Sequence, residues 1–280
     1  MIKLAANVSM LFGDVPFLDR YERAAQAGFK GVECLFPYGH APEEIAARLR
    51  ANALEQVLIN APAGDWNAGE RGFAAVPGRE AIFRASIEEA LPYIDATGVC
   101  RIHVMAGIAS REDLRARATY LANLEYAARR LADRGITVLI EPLNARDVPG
   151  YFLSDFADAL TMIKVLDAHA IRLQFDIYHR QILHGDVTIG LKEAFPLIGH
   201  IQIAGIPARD EPNRGELSLL HVFRTIEELG YEGWIGCEYS PRARTEDGLA
   251  WIADYLRPSN ETACEAAEGL GRINSGSRAL

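Results

Sequence analysis

The feature that most constrains this chain is an eightfold alternation of two patterns. Short apolar runs at residues 2–7, 31–35, 56–60, 100–106, 136–141, 171–176, 198–204 and 233–238 have the length and branching of strands. Between them lie segments of helical periodicity at 16–27, 42–53, 79–96, 110–134, 154–167, 188–195, 216–229 and 245–256. Gly28, Gly98, Gly135 and Gly230 each follow a helical segment, where a left-handed cap without a Cβ is easiest. Ser154 and Asp155 offer side-chain oxygens to the free amides of a helix start. A strand whose return path is a helix pairs in parallel with its neighbour. Eight such units predict an α/β chain folded as a (β/α)8 TIM barrel, a single domain over residues 1–258. A doubly wound open sheet is the alternative.

Composition sets the outer limits. A chain of 280 residues with 49% hydrophobic content can fill one core of that size. Its apolar runs fall well short of the roughly 20 residues that span a bilayer. Cys34, Cys100, Cys237 and Cys264 have no paired spacing, which argues against a zinc knuckle or a disulfide framework and fits a reducing, cytoplasmic setting. A formal net charge of −9 disfavours nucleic acid and anionic membrane, so a small molecule is the expected partner, and a homo-oligomer is compatible with the pattern. Residues 259–280 are rich in Ala, Gly, Ser and Glu without an apolar stripe, and are expected to form a loosely held tail.

The last four apolar runs end in oxygen-bearing side chains: Glu141, Asp176, Gln202 and Glu238. In a barrel these ends converge on the face that carries active sites. Alternate residues of a strand share a face, so Glu141 goes with Leu139 and Thr137, and Glu238 with Gly236 and Trp234; the small Gly236 leaves room beneath Glu238. One carboxylate closing a strand usually meets solvent or caps a helix, but four oxygen donors in series point to a site. Carboxylate and amide oxygens suit a hard divalent cation, Mg2+ before Mn2+. Around them, His179 stands three residues after Asp176 and can reach the same cavity. Asn144, Arg146 and Asp147 continue the strand that ends at Glu141, and Asp147 is expected to support His179 through a carboxylate–imidazole hydrogen bond. The Gly-rich stretch 60–72 is long enough to suggest a lid, with Trp66 excluding water and Arg71 supplying charge. Arg209 and Arg214 are candidate clamps for a substrate carboxylate.

The segments Ala6-Asn-Val-Ser-Met-Leu-Phe-Gly13, Gly31-Val-Glu33, Phe36-Pro-Tyr38, Ala61-Pro-Ala-Gly-Asp-Trp66, Gly69-Glu-Arg-Gly72, Pro77-Gly-Arg-Glu80, Ile140-Glu-Pro-Leu-Asn144, Asp176-Ile-Tyr-His179, Gly199-His-Ile-Gln-Ile-Ala204 and Gly236-Cys-Glu-Tyr239 span residues 1 to about 257. In this combination the sequence resembles the hydroxypyruvate isomerase family, among the xylose-isomerase-like barrels. The resemblance implies a metal-dependent isomerase that interconverts hydroxypyruvate and tartronate semialdehyde through an enediolate. It implies Glu141, Asp176, Gln202 and Glu238 as metal ligands and Glu141 and Glu238 as the proton-transfer pair. Related ketose 3-epimerases carry histidine at the position of Gln202, which favours the hydroxypyruvate branch; 2-oxo-tetronate is the alternative substrate. A barrel nuclease would be expected to carry a histidine-rich multi-metal centre and a basic groove. A non-catalytic binder would keep the ligands without turnover.

Overall fold

The computed structural model describes residues 2–166 and 170–253. Eight parallel strands run in chain order, β1 Lys3–Asn7, β2 Gly31–Cys34, β3 Glu55–Asn60, β4 Arg101–His103, β5 Thr137–Ile140, β6 Ile171–Asp176, β7 Ile198–Ile203 and β8 Trp234–Cys237. The ring closes where β8 pairs with β1, Ala5 opposite Gly236 and Ala6 opposite Cys237. Around it pack α1 Arg20–Gln26, α2 Pro42–Ala51, α3 Glu80–Thr97, α4 Leu114–Leu131, α5 Phe156–Leu166, α6 Ile177–His184, α7 Val187–Ala194, α8 Leu219–Glu228 and α9 Thr245–Gly248. The closed (β/α)8 barrel is the architecture that the eightfold alternation predicts, and an open sheet is ruled out. Among the described residues no helix is long and apolar enough to cross a membrane.

The core divides in two. Outward-facing strand residues and the helices' apolar faces form one continuous cluster, with Phe29, Phe83, Phe156, Phe175 and Phe223 fully buried in it. A second, small cluster of Ala5, Val57, Leu58 and Leu139, with Trp234 packed against it, plugs the barrel interior below the site. Gly31 allows this plug, because a Cβ there would press on both Trp234 and Val57. The interior is narrow, and small residues on β1, β2 and β8 make space for one large ring.

Three boundaries differ from the sequence pattern. The run 100–106 is a strand only to His103, because Ala106 leaves the barrel to bridge Gly72 and anchor the loop after β3. The segment 110–134 becomes helical at Leu114, where the Asp113 side chain accepts the amide of Arg115. The chain after β6 forms two helices where the periodicity predicts one at 188–195. The additional helix, α6, starts directly at Ile177 because Asp176 caps it, its Oδ1 accepting the Tyr178 amide at 2.7 Å. The expected tail at 259–280, and the end of the helical segment 245–256, lie outside the described residues.

Candidate active site

Every strand delivers a buried polar side chain to the C-terminal mouth of the barrel. They are Asn7, Glu33, Asn60, His103, Glu141, Asp176, Gln202 and Glu238, on or just after β1 to β8 in order. A cavity of about 180 Å³ opens there, reached by Glu141, Gln174, His179, Arg209 and Glu238. Its outer rim carries Phe36 and Trp66, whose rings lie 5.8 Å apart.

Asp176 is held from two sides. Its capping role fixes Oδ1, while Oδ2 is buried without a hydrogen-bond partner and lies 3.5 Å from Arg209 Nη2 and 3.6 Å from His179 Nε2. Ligand atoms of Glu141, Asp176 and His179 come within 4.8 Å of one another, the spacing of a cation site, although the hydrogen bonding of His179 takes it out of the ligands. The tautomer of His179 follows from its neighbour: the Asn144 backbone N–H donates to Nδ1 at 3.1 Å, so Nδ1 holds the lone pair and Nε2 the hydrogen. His179 therefore presents a donor to the cavity, as a group for a substrate oxygen would. Burial, and then the Arg209 charge, push its pKa well below the ordinary value, so the ring is neutral.

Gln202 is oriented by acceptors. Its Nε2 donates to Glu33 Oε1 at 2.8 Å and to Glu238 Oε2, while Oε1 accepts from Gln174 Nε2 at 2.6 Å and keeps one lone pair. Glu33 also accepts from Asn7 Nδ2 at 3.0 Å and from His200 Nε2 at 2.7 Å. The space above Gly236 is filled: any Cβ at that position would run into the Glu33 carboxylate. The room that Gly236 leaves is taken by Glu33.

Burial dominates the electrostatics. It raises Glu238 to about 8 against the lowering pull of Arg209, and Asp176 to about 6 against the same pull. It also raises Glu141 well above the carboxylate range, with Asp176 and Glu238 adding repulsion. Three acidic groups crowded away from water are the environment that a divalent cation relieves, and the partnerless Asp176 Oδ2 gives it a place. The carboxylate oxygens of Glu141 and Asp176, close together and buried, fit a hard metal ion.

Arg209 is the cation inside this group. Its backbone takes a positive φ of 54°, uncommon for a side-chain-bearing residue, and is clamped by bonds to Gly205 O and Ser240 N of 2.8 Å each. That turn aims the guanidinium over the Tyr178 ring, 4.9 Å from its centroid, and onto Glu238 Oε1 at 2.7 Å. Burial would lower its pKa, but Glu238, Asp176, Glu141 and Asp147 outweigh burial and hold it charged.

Asp147 does not touch His179. Its Oδ2 accepts from Asn144 Nδ2 at 3.2 Å and its Oδ1 from the Tyr178 hydroxyl at 3.3 Å, so the expected carboxylate–imidazole bond is replaced by Asn144 standing between them. Arg71 is likewise turned away from the cavity. It stacks on Trp66 at 3.8 Å and donates to the Trp66 and Glu70 carbonyls, stiffening the loop that carries Trp66. Trp66 itself lines the cavity and is 44% exposed at its rim. Arg214 lines a separate depression with Glu211 and Trp251, and Arg146 stays outside the cavity. Glu33, Asn7, Asn60, His103, Gln174 and His200 are site residues that the sequence reading passes over. Each interrupts or ends an apolar run, which is the signal that singles out the other four.

Fold and mouth define the class: a barrel enzyme of the xylose-isomerase-like type. A match to the family described as "Xylose isomerase-like TIM barrel" covers residues 21–255. The chain is 54% identical over 258 residues to the 2-oxo-tetronate isomerase of Cupriavidus necator, covering 91% of this chain and 99% of that one. It is 44% identical over 257 residues to the hydroxypyruvate isomerase of Escherichia coli, covering 91% of this chain and all of that one. A solved structure named "AP endonuclease, family 2", from Brucella melitensis, superposes with a TM-score of 0.89 at 46% identity, covering 91% and 99% of the two chains. The chain belongs to the xylose isomerase-like TIM-barrel family, in its group of hydroxypyruvate and 2-oxo-tetronate isomerases, and is an isomerase.

Proposed function

We propose that this protein is a divalent-cation-dependent isomerase of small 2-oxo acids, moving the carbonyl of hydroxypyruvate or 2-oxo-tetronate from C2 to C3. The observation that carries this reading is the pair Glu141 and Glu238, buried at the ends of β5 and β8 and lining one cavity with Arg209. Glu141, Asp176, Gln202 and Glu238 are the ligands, for Mg2+ in preference to Mn2+. When bound, the cation supplies Lewis-acid stabilisation of the negative charge that develops on the substrate oxygens.

The protein's own residues handle the protons. One glutamate takes the C3 proton, leaving its electron pair in a C2–C3 enediolate, and the other delivers a proton to C2. The O3 proton passes to O2, so the product has a C3 carbonyl and a C2 hydroxyl; the glutamate that took a proton then releases it and the one that gave a proton regains one from solvent, so no external reagent is consumed. Arg209 is the partner for the substrate carboxylate, exchanging part of its contact with Glu238 for a two-point bond. His179 donates from Nε2 to a substrate oxygen, and Asn144 and Asp147 hold His179 and Tyr178 in place. Trp66 and Phe36 keep water from the enediolate. The unpaired Cys34, Cys100 and Cys237 suit a reducing cytoplasm.

A nuclease reading, suggested by the name of the Brucella relative, finds less support. The mouth offers carboxylates and amides with His179 in its donor tautomer, and a formal charge of −9 repels phosphodiesters. The deciding experiment is a coupled assay with hydroxypyruvate and 2-oxo-tetronate after chelation and after restoring Mg2+ or Mn2+. Activity that needs the cation is expected. Full turnover by protein shown by elemental analysis to be metal-free would end the cation-dependent reading.

A further inference from the structure

The wall of the cavity opposite Arg209 has no role in the chemistry above, yet it is polar and built. Asn60 and His103 are register partners on β3 and β4, and both are buried and line the cavity. Asn60 Oδ1 has no hydrogen-bond partner, and neither has either ring nitrogen of His103. The Glu141 carboxyl stands beside it, Oε2 lying 3.6 Å from His103 Nδ1, beyond hydrogen-bond reach. The Tyr38 hydroxyl donates to the Asn60 carbonyl at 2.6 Å and so fixes the end of β3. Three orphaned polar atoms on two neighbouring strand ends that line one cavity are costly unless a ligand completes them.

The atoms say what kind of ligand. Asn60 Oδ1 only accepts, so its partner must carry a hydrogen; a carboxylate has none to give. A neutral imidazole offers one donor and one acceptor. A hydroxyl group satisfies both residues, since it donates and accepts at once. Arg209, on the far side among Glu238 and Asp176, takes the carboxylate end, so the hydroxyl end of the substrate faces β3 and β4. In hydroxypyruvate the single hydroxyl sits on C3, at the reacting carbons, and none is left for this wall. A four-carbon 2-oxo acid has one more, on C4. A longer sugar would bring its further hydroxyls against the apolar Phe36, Trp66, Leu143 and Val148.

We propose that Asn60 and His103 form a subsite for the hydroxyl of a fourth carbon, making a four-carbon 2-oxo acid a better substrate than hydroxypyruvate. This rests on the isomerase reading above and goes further by naming the substrate and the residues that choose it. The test measures kcat/KM for 2-oxo-tetronate and for hydroxypyruvate with Mg2+, in the full-length wild type and in Asn60→Leu, His103→Phe and His103→Gln. Wild type is expected to prefer the four-carbon acid. Asn60→Leu and His103→Phe should each lower the ratio of the two kcat/KM values by about tenfold or more, and His103→Gln, which keeps a donor and an acceptor, should recover part of it. Mn2+ affinity, read by electron paramagnetic resonance, should fall by less than about threefold, showing that the folded site persists.

A wild type that prefers hydroxypyruvate overturns the proposal. So do variants that lower both substrates equally, or a His103→Phe protein that loses Mn2+, which would place His103 in the cation site. A wild type that turns over neither acid removes the isomerase reading itself, a failure separable from the other three.

Discussion

The two halves of the barrel mouth are built from the same scaffold and behave in opposite ways. From β5 to β8 the strand ends carry Glu141, Asp176, Gln202 and Glu238, with Arg209 set among the carboxylates. From β1 to β4 they carry Asn7, Glu33, Asn60 and His103, where the one carboxylate is satisfied by Asn7, His200 and Gln202. The first half concentrates charge that burial disfavours and so wants a cation. The second holds neutral groups and one fully bonded anion, and so wants a neutral hydroxyl or nothing. The difference teaches that a barrel can sort charge by strand number, since register alone brings all eight ends to one level.

The largest effects should come from the charged half. Glu141→Gln and Glu238→Gln keep size and one oxygen donor but remove the basic group, so turnover should fall about 100-fold or more. Steady-state kinetics with binding measured separately checks this, and near-normal turnover by either cation-loaded variant removes that residue from proton transfer. Arg209→Leu should cost a charged hydrogen bond of roughly 1.5–3 kcal/mol, or about ten- to more than a hundredfold in kcat/KM for a 2-oxo acid. A neutral ketose should lose far less. Equal losses for acid and ketose would mean that Arg209 only balances the carboxylates around it.

Smaller effects probe the floor on which the halves meet. Gly236→Ala puts a Cβ into the Glu33 carboxylate and should destabilise the fold by about 1–3 kcal/mol, a Tm fall of roughly 3–10 °C. An unchanged Tm would show that Glu33 can move aside at no cost.

The smallest effect expected is a pH response of the metal-free protein. Glu238 is raised to about 8 when folded, so the folded state binds its proton more tightly than the unfolded chain does. Stability from this group is therefore present at low pH and lost as pH rises through about 8. His103 is depressed to about 3 from an ordinary 6.5, so its penalty on the folded state falls below 6.5 and leaves the higher range to the carboxylates. From about pH 6.5 to 8.5 the Tm of chelated protein should drop by a few degrees, and Mn2+ should flatten the drop. Differential scanning fluorimetry reads both, and a Tm that rises over this range in chelated protein contradicts the crowding of acids.

The barrel was legible in the sequence because strand and helix periodicities differ and alternate eight times without a break. The charged half of the mouth was legible for a related reason: one acid at a strand end is ordinary, but four oxygen-bearing ends in series are more than strand closure or capping calls for. The neutral half was harder. Asn7 and Asn60 look like ordinary strand terminators, while Glu33 and His103 sit inside their runs. Applying the same parity to the first four runs would have placed them. What no one-dimensional pattern carries is the bonding between strands distant in the chain: that Asn144 rather than Asp147 supports His179, or that Arg71 props up Trp66 instead of entering the cavity. The helix starting at Ile177 was hidden because Asp176 serves as strand end, helix cap and site residue at once.

The Glu33 bonds also bear on how such a chain is made. Glu33 leaves the ribosome early, but two of its partners, His200 and Gln202, lie 167 and 169 residues downstream. Until they arrive, an acid meant for the centre of the barrel lacks two of its three donors, so the N-terminal half cannot bury it at low cost. Long-range closure of this kind slows folding. It also means that the site comes into being as the ring shuts: a chain stalled before β7 has neither a settled floor nor a working mouth, and an unfinished protein has no means of running the reaction badly.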